Sequence, residues 1–226
     1  MTRLLAIDAS TWWGGAALLD DHEGAPRVVA EIGIRIEDSH AARLLPIVEG
    51  LLRAADWPRG SLDAFAAVRG PGSFTGIRVA LGLVSGLALV ASRPCLGVGT
   101  LHAMAEAHGP AVADRVPLLD AGRGEVYGAR FDADGSPPKV LRPTWVGDPA
   151  LAVEPGVVFV VFGGGGRVHD ARLREAGYAG PIGRAPTSVA AAAGRIALAR
   201  LVAGIVAPDE MTPLYVRPAD AEVRFR

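Results

Sequence analysis

The nonapeptide at residues 70–78, Gly-Pro-Gly-Ser-Phe-Thr-Gly-Ile-Arg, constrains the fold more than any other stretch of the chain. The apolar run at residues 65–68 before it is typical of a buried strand, and the apolar segment at residues 77–91 after it is typical of a helix. Glycine and proline favour a tight turn between the two. The hydroxyls of Ser73 and Thr75 can accept hydrogen bonds from the first amides of that helix. The sequence therefore predicts a strand, a sharp turn and a helix in direct succession.

This loop has a second interpretation, because glycine-rich turns before a helix can bind an anion on free amides. A P-loop requires Lys followed by Ser or Thr after its last glycine, but Ile77 and Arg78 follow Gly76. The third glycine of the dinucleotide-binding motif would fall at Thr75. Local chemistry therefore favours a structural turn and leaves a phosphate site as the alternative.

The composition allows one large domain or two small ones, since the chain has 226 residues and half of them are hydrophobic. Its 23 basic and 24 acidic residues nearly balance, which argues against attraction of nucleic acid or an anionic membrane by overall charge. Lys139 is the only lysine, so a catalytic or phosphate-binding lysine has almost no candidate. Cys95 is the only cysteine, which excludes internal disulfides and thiolate metal clusters, and its apolar strand disfavours a thiolate.

Neither of two apolar segments has the length of a membrane span. Asp8 interrupts the apolar opening at residues 4–7, which is far shorter than the core of a signal peptide. Residues 79–91 are apolar apart from Ser85, but a membrane helix needs about 20 residues. We therefore expect a soluble, cytoplasmic protein that makes no contact with a membrane.

Apolar runs separated by turn residues place strands and helices in both halves of the chain. The predicted strands are Arg3–Asp8, Cys95–Val98, Glu125–Phe131 and residues 16–19, 28–36, 65–68, 116–119, 140–146 and 157–162. The predicted helices are Thr100–His108, a helix from Ser39 to near Trp57 with a bend at Pro46, and residues 77–91, 168–176 and 188–206, before an extended tail at 213–218. This pattern indicates an α/β protein of two related lobes, residues 1–108 and 109–226.

Two turns contain residues that could form a nucleotide pocket. Asp8, Ser10 and Thr11 follow the first strand, where an acid and two hydroxyls can hold a phosphate and its magnesium ion. The alternative is an ordinary turn in which these side chains bond the backbone. Gly163 and Gly164 begin a run of four glycines after an apolar strand, for which a flexible strand-to-helix turn is the alternative.

Motifs spread over nearly the whole chain together resemble one known family. They are Leu-Ala-Ile-Asp-Ala-Ser-Thr at 5–11, His40 with Leu-Leu-Pro at 44–46, the nonapeptide at 70–78, Asp-Ala at 120–121 with Gly-Glu-Val-Tyr at 124–127, and Pro-Leu-Tyr-Val-Arg at 213–217. In this order they resemble the TsaB family, also called YeaZ. The resemblance implies the actin-like ATPase (ribonuclease H-like) fold, with two similar lobes that each contain a mixed sheet and flanking helices.

The resemblance also implies a function in synthesis of threonylcarbamoyladenosine, the modified base next to the anticodon of tRNAs. It implies a non-catalytic subunit that binds and activates the paralogue TsaD, with the ATPase TsaE as a further partner and a homodimer when the subunit is alone. We expect contact with tRNA only through the complex. No cofactor is expected beyond weak ATP or ADP binding in a degenerate pocket, because Trp12 and Trp13 directly follow Thr11 and crowd that turn.

The resemblance places the partner contact on two helices that match residues 40–55 and 76–91. The residues expected in this contact are His40, Leu44, Leu45, Val48, Val79, Gly82, Leu83 and Gly86. Gly82 and Gly86 lie four positions apart and therefore on one helical face. Each glycine costs about 1 kcal/mol relative to alanine in a helix, which indicates that a neighbour approaches closely. From the residues alone, the protein's own sheet is also a suitable neighbour.

The competing class is an enzyme, either an ATP-dependent small-molecule kinase of the same fold or a glycoprotease-like peptidase. The catalytic paralogue of the resembled family holds a metal through His-x-x-x-His, but the fourth residue after His40 is Leu44. A kinase would depend on Asp120 as its catalytic acid. A peptidase would depend on a set such as Ser73, His102 and Asp120, which a chain of this length contains by chance.

One further spacing is that of metal ligands. His102 and Glu106 lie four positions apart on the predicted helix Thr100–His108, with His108 near its end. We interpret them as polar residues on a solvated helix surface rather than as ligands.

Overall fold

The structure is a computed structural model that describes residues 1–36, 40–205 and 211–217, apart from the side chains of residues 40 and 41. Its first part contains β1 (Arg3–Asp8), β2 (Trp13–His22), β3 (Ala25–Arg35), α1 (His40–Ala54), β4 (Ala64–Val68), α2 (Phe74–Ala91), β5 (Cys95–Val98) and α3 (Thr100–His108). Its second part contains β6 (Asp114–Gly122), β7 (Glu125–Phe131), β8 (Val140–Gly147), β9 (Phe159–Phe162), α4 (Gly164–Val168), α5 (Asp170–Glu175), β10 (Ile182–Gly183) and α6 (Ala190–Val202). Single 3-10 turns lie at Arg59–Ser61 and Pro149–Ala152.

The two five-stranded sheets have the same topology. The first has the order β3-β2-β1-β4-β5, in which β1 to β3 are antiparallel and β1, β4 and β5 are parallel. The second repeats this plan in the order β8-β7-β6-β9-β10. An antiparallel meander followed by two parallel strands in each lobe confirms the predicted α/β class and the actin-like fold of two similar lobes.

Helices cover both faces of the first sheet. Leu4 and Leu5 are both 0% exposed, and because side chains alternate along a strand they belong to different apolar clusters. α1 and α2 pack over the cluster that contains Leu5, whereas α3 and α6 pack over the cluster that contains Leu4. The cluster that contains Leu4 also includes Phe131 and Phe162 of the second sheet, so one core joins the two halves of the chain. The lobe boundary after residue 108 stays a prediction, and α6 returns from the second half to the first sheet.

Most predicted elements are confirmed, and the differences have local causes. β2 begins at Trp13 rather than at residue 16, because Gly14 and Gly15 also pair with β3. α2 begins at Phe74, so Ser73 is its cap and Thr75 lies inside the helix. The predicted helix at residues 168–176 is instead the pair α4 and α5, since His169 between them leaves helical geometry with φ −109° and ψ 26°.

Three boundaries also shift at the ends of elements. β9 begins at Phe159 rather than at residue 157, and α6 begins at Ala190 rather than at residue 188 and ends at Val202, while residue 206 of the predicted helix lies outside the described residues. α1 continues through Pro46 to Ala54. Ser39, the expected cap of α1, and residue 218 of the tail lie outside the described residues.

Candidate functional site

The outer face of α2 is open to solvent at its two glycines. A Cβ atom added at Gly82 or Gly86 would meet no atom within 4 Å, and both residues are exposed. The hypothesis that these glycines pack against the protein's own sheet is therefore wrong. Further along the helix, Leu89 and Val90 are 79% and 89% exposed. We call the surface at Gly82 and Gly86 the glycine face, an exposed helix surface on which a second backbone can approach closely.

Some of the residues expected at the partner contact are buried in the structure, and others are exposed. Leu44 and Val48 are 0% and 3% exposed in the core beneath α1, so their side chains face inward instead of toward a partner. Leu45 is 44% exposed. The side chain of His40 lies outside the described residues. The remaining members with exposed or half-buried positions are Leu45, Val79, Gly82, Leu83 and Gly86.

α2 is longer than the apolar segment seen in the sequence. With 18 residues and a mean hydropathy of 1.8, the helix Phe74–Ala91 is by length and composition alone long and apolar enough to cross a membrane, whereas the prediction considered only its part at residues 79–91. Its inner face, however, packs on the first sheet through Ile77, Leu81 and Val84. This is the arrangement of a core helix whose outer face is also apolar.

The nonapeptide loop packs directly on the turn that follows β1. The amide of Ser73 donates a hydrogen bond to the carbonyl oxygen of Ser10 at 2.7 Å. A Cβ atom at Gly72 would lie closer than 3.0 Å to the same oxygen, and one at Gly76 would lie closer than 3.0 Å to the carbonyl oxygen of Ala9. The Oγ of Ser73 accepts a bond from the amide of Gly76 at 3.2 Å and caps α2. These contacts support the interpretation of the loop as a structural turn, because its glycines allow two backbones to touch.

A cleft of about 660 Å³ lies where the turn after β1 faces the second sheet. Four of the five residues predicted for a nucleotide pocket line it, namely Asp8, Ser10, Thr11 and Gly164. Gly163 is not in the lining. Asp120 of β6 lies across the cleft, and Trp12 and Trp13 contribute to the same wall, Trp12 with 76% of its surface exposed.

The polar groups at the floor of this cleft are engaged by the protein itself. Oδ1 of Asp8 accepts hydrogen bonds from the amide and Oγ of Ser10 at 2.8 and 2.7 Å, and Oδ2 accepts one from the amide of Val189 at 3.4 Å. Oγ1 of Thr11 accepts a bond from the amide of Trp13 at 3.1 Å. Asp8 and Ser10 are 1% and 0% exposed. The bonds of Asp8 to Ser10 and of Thr11 to Trp13 are those of an ordinary turn, and the nucleotide pocket stays a prediction.

We expect Asp8→Ala to lower the free energy of unfolding by about 2 to 4 kcal/mol, because the buried amides of Ser10 and Val189 lose their acceptor. Urea unfolding followed by tryptophan fluorescence measures this difference. Asp134→Ala is the matched control, since Asp134 is exposed in a turn and should contribute little. Equal losses in the two variants would show that the bonds of Asp8 do not stabilise the fold.

The four glycines after β9 form the close-packed start of α4 rather than a flexible turn. Gly163 has a φ of +108°, and a Cβ atom there would lie closer than 3.0 Å to the carbonyl oxygen of Leu118. A Cβ atom at Gly165 would lie 2.6 Å from the carbonyl carbon of Leu119. A Cβ atom added at Gly164 would meet no atom within 4 Å, and Gly164 lines the cleft. The glycines therefore bring α4 against β6 and leave one position open to the cleft.

The residues of the hypothetical peptidase set do not come together. Ser73 and Asp120 line the cleft, whereas His102 lines a separate cavity. Oδ1 of Asp120 instead lies 3.1 Å from Nε2 of His169. Burial raises the pKa of the Cys95 thiol, which confirms that its thiolate is disfavoured.

His102 and Glu106 are structural links, so the interpretation of these residues as solvated surface is wrong. Glu106 is 6% exposed, and its Oε1 lies 2.8 Å from Nε of Arg195 on α6. Nε2 of His102 lies 2.7 Å from the carbonyl oxygen of Pro138. In the part of the chain that the structure describes, no three His, Cys, Asp or Glu residues are grouped so that they could hold a metal ion.

The tail motif contacts the first lobe through an aromatic residue. The hydroxyl of Tyr215 accepts a hydrogen bond from Nε of Arg78 at 2.8 Å, and its ring stacks on Phe74 with centroids 5.7 Å apart. The guanidinium of Arg78 lies 3.8 Å from the centre of the Phe74 ring. This cluster secures the first turn of α2, and sequence reasoning identified the motif without assigning it this contact.

The same segment, residues 211–217, reaches the second lobe two residues later. Arg217 donates a hydrogen bond to the carbonyl oxygen of Ala121 at 3.0 Å and forms an ion pair with Glu125. The amide of Leu214 donates to the carbonyl oxygen of Arg69 at 2.7 Å. The C-terminal segment thus joins the two lobes beside the nonapeptide loop.

Comparison with known proteins gives one family match and several relatives. The family model for TsaD, tRNA N6-adenosine threonylcarbamoyltransferase, matches residues 33–137. The tRNA threonylcarbamoyladenosine biosynthesis protein TsaB of Escherichia coli is 40% identical over 134 residues, which are 58% of this chain and 56% of the relative. An uncharacterized protein of Mycobacterium tuberculosis is 29% identical over 225 residues, or 98% and 95% of the two chains. The matched region of this chain spans about half the length of the TsaB relatives.

A solved structure agrees with this result over both lobes. YeaZ from Pseudomonas aeruginosa superposes with a TM-score of 0.78 at 29% identity, covering 95% of this chain and 100% of its own. The structural similarity therefore extends over nearly the whole length of both chains.

Proposed function

Because the chain belongs to the TsaB/YeaZ group of the TsaD-like family, we propose that it is a non-catalytic, activating subunit in the formation of threonylcarbamoyladenosine next to the anticodon of tRNAs. Its partner in this proposal is the TsaD-like paralogue, with a TsaE-like ATPase as a further member of the complex. Contact with tRNA is made only through that complex, in the cytoplasm. In the absence of the paralogue, two copies of this chain pair through the same surface.

The glycine face of α2 is the observation that supports a partner at this position. Gly82 and Gly86 have no neighbour of their own, although glycine is unfavourable in a helix. Helix axes approach most closely where side chains at the crossing are small. Val79 and Leu83 are half-buried on the same helix, and Leu45 is an exposed apolar residue on α1. A helix from the partner that crosses here would bury this surface.

The bonds within the cleft support a subunit rather than a kinase. Asp120 is the candidate acid of a kinase, but its Oδ1 is bonded to Nε2 of His169 and to the amide of Gly122. Asp8, which such an enzyme would need on the opposite side, is bonded to Ser10 and is 1% exposed. Both carboxylates therefore form bonds that hold turns of this chain in place.

Depletion of the protein in its source organism should remove threonylcarbamoyladenosine from tRNA, because the paralogue then lacks its activating subunit. Mass spectrometry of nucleosides from digested tRNA measures the loss, and an unrelated modified nucleoside in the same digest is the control. Re-expression of the wild-type chain should restore the nucleoside. An unchanged level after depletion would contradict the proposed function.

A further inference from the structure

A second cavity, of about 480 Å³, lies between the end of β4, the first turn of α3 and the strands β7 and β8. The C-terminal segment forms part of its wall through Leu214 and Val216. Among the described residues, none lines both this cavity and the cleft. The proposed function does not involve this cavity.

Arg69 brings a positive charge into this cavity without a partner in the described chain. Its Nε is buried and has no hydrogen-bond acceptor among the described residues. In the part of the chain that the structure describes, the cavity lining contains no aspartate or glutamate. Arg69 as a whole is half-buried, and a buried N–H donor without an acceptor is unfavourable because it has lost its hydrogen bond to water. An anion in the cavity would balance the positive charge of the guanidinium.

The other described residues of the lining add no second charge. Burial lowers the pKa of His102, so its ring is neutral near pH 7, and its Nε2 donates to the carbonyl oxygen of Pro138. Glu106 on the same helix is held by Arg195. Thr144 contributes one hydroxyl to the lining. Much of the remaining surface is apolar and comes from Leu101, Ala129, Phe131, Val140, Leu214 and Val216.

We propose that this cavity binds a small organic monocarboxylate with an apolar body. The planar guanidinium of Arg69 can donate two parallel hydrogen bonds to a carboxylate, and one positive charge balances one negative charge. The apolar walls would cover the body of such a molecule. A bound carboxylate would touch the first lobe at Arg69, the second lobe at Phe131 and the C-terminal segment at Leu214, and would therefore stabilise their arrangement.

The direct test is an NMR titration of the ¹⁵N-labelled protein that follows the Nε–Hε resonance of Arg69. We expect benzoate to shift this resonance with a Kd of about 1 mM, as befits a ligand of this size. Benzamide, which has the same shape without the charge, should bind at least about tenfold more weakly because it lacks the charge-assisted bond. Inorganic phosphate at the same ionic strength should also bind at least about tenfold more weakly, since it has no apolar body. Equal affinity for benzoate and either control compound would overturn the proposal.

Substitution of Arg69 provides the second test. Arg69→Gln should weaken benzoate binding by about tenfold or more, whereas Arg53→Gln, on the exposed end of α1, should leave it unchanged. Thermal unfolding establishes whether Arg69→Gln is folded. If it is not, Arg69→Lys keeps the charge but loses the paired hydrogen bonds, and it should bind about tenfold more weakly. Unchanged benzoate affinity in a folded Arg69 variant would overturn the proposal, and if both variants unfold, the comparison of benzoate with benzamide decides.

Discussion

Gly86→Leu should weaken binding of the TsaD-like paralogue by about 100-fold or more while the protein stays folded. A leucine side chain at this position would project from the glycine face and prevent close approach of a second helix. It would not disturb the fold, because the space beside Gly86 is free of atoms to 4 Å and leucine is a better helix former than glycine. Isothermal titration calorimetry of the two purified proteins measures the affinity.

A leucine added elsewhere separates this steric effect from a general gain in surface hydrophobicity. Glu175→Leu, on the exposed end of α5 in the second lobe, is the matched control and should bind the paralogue like the wild type. The melting temperature of Gly86→Leu should equal or exceed that of the wild type. Wild-type affinity of a folded Gly86→Leu protein would show that the glycine face is not the interface.

Gly76→Ala should destabilise the protein by about 3 kcal/mol, although it exchanges one small residue for another. The added Cβ atom would lie closer than 3.0 Å to the carbonyl oxygen of Ala9, which is backbone and cannot rotate away. The start of α2 would have to move from the turn after β1. Gly82→Ala, in the same helix but in open space, should instead stabilise the protein by up to about 1 kcal/mol. Equilibrium unfolding in urea measures both variants.

The stability changes expected for Gly76→Ala and Gly82→Ala have opposite signs, so the two variants together test where α2 is tightly packed. Equal effects at Gly76 and Gly82 would mean that the nonapeptide loop does not pack tightly on the turn after β1. A large loss at Gly82 would mean that the outer face of α2 is covered in the isolated protein.

The strand, turn and helix around the nonapeptide could be predicted because their signals are local. Apolar runs define the two elements, and Ser73 stands at the position of a cap. What each glycine contacts could not be predicted in this way. A Cβ atom at Gly76 would clash with the backbone of Ala9, which is distant in sequence, whereas a Cβ atom at Gly82 on the same helix would have no atom within 4 Å. Only the three-dimensional packing of α2 distinguishes the two.

Burial of the predicted site residues depends on the same long-range packing. Leu44 and Leu45 are adjacent and chemically identical, yet only Leu45 is exposed, because α1 presents alternate faces to the sheet and to solvent. Glu106 has the sequence context of a surface residue but is buried beside Arg195, which α6 brings back from the end of the chain. Periodicity gives the face of a helix that is apolar, but not the element that covers it.

The most direct test of the proposed function is reconstitution with purified proteins. The rate of threonylcarbamoyladenosine formation on tRNA is measured for the TsaD-like paralogue and the TsaE-like ATPase with and without this chain, and for this chain alone. We predict that the chain alone forms no modified base and that its addition raises the rate of the other two proteins together. A rate that does not change when the chain is added, or formation of the modified base by the chain alone, would contradict its assignment as a non-catalytic activating subunit.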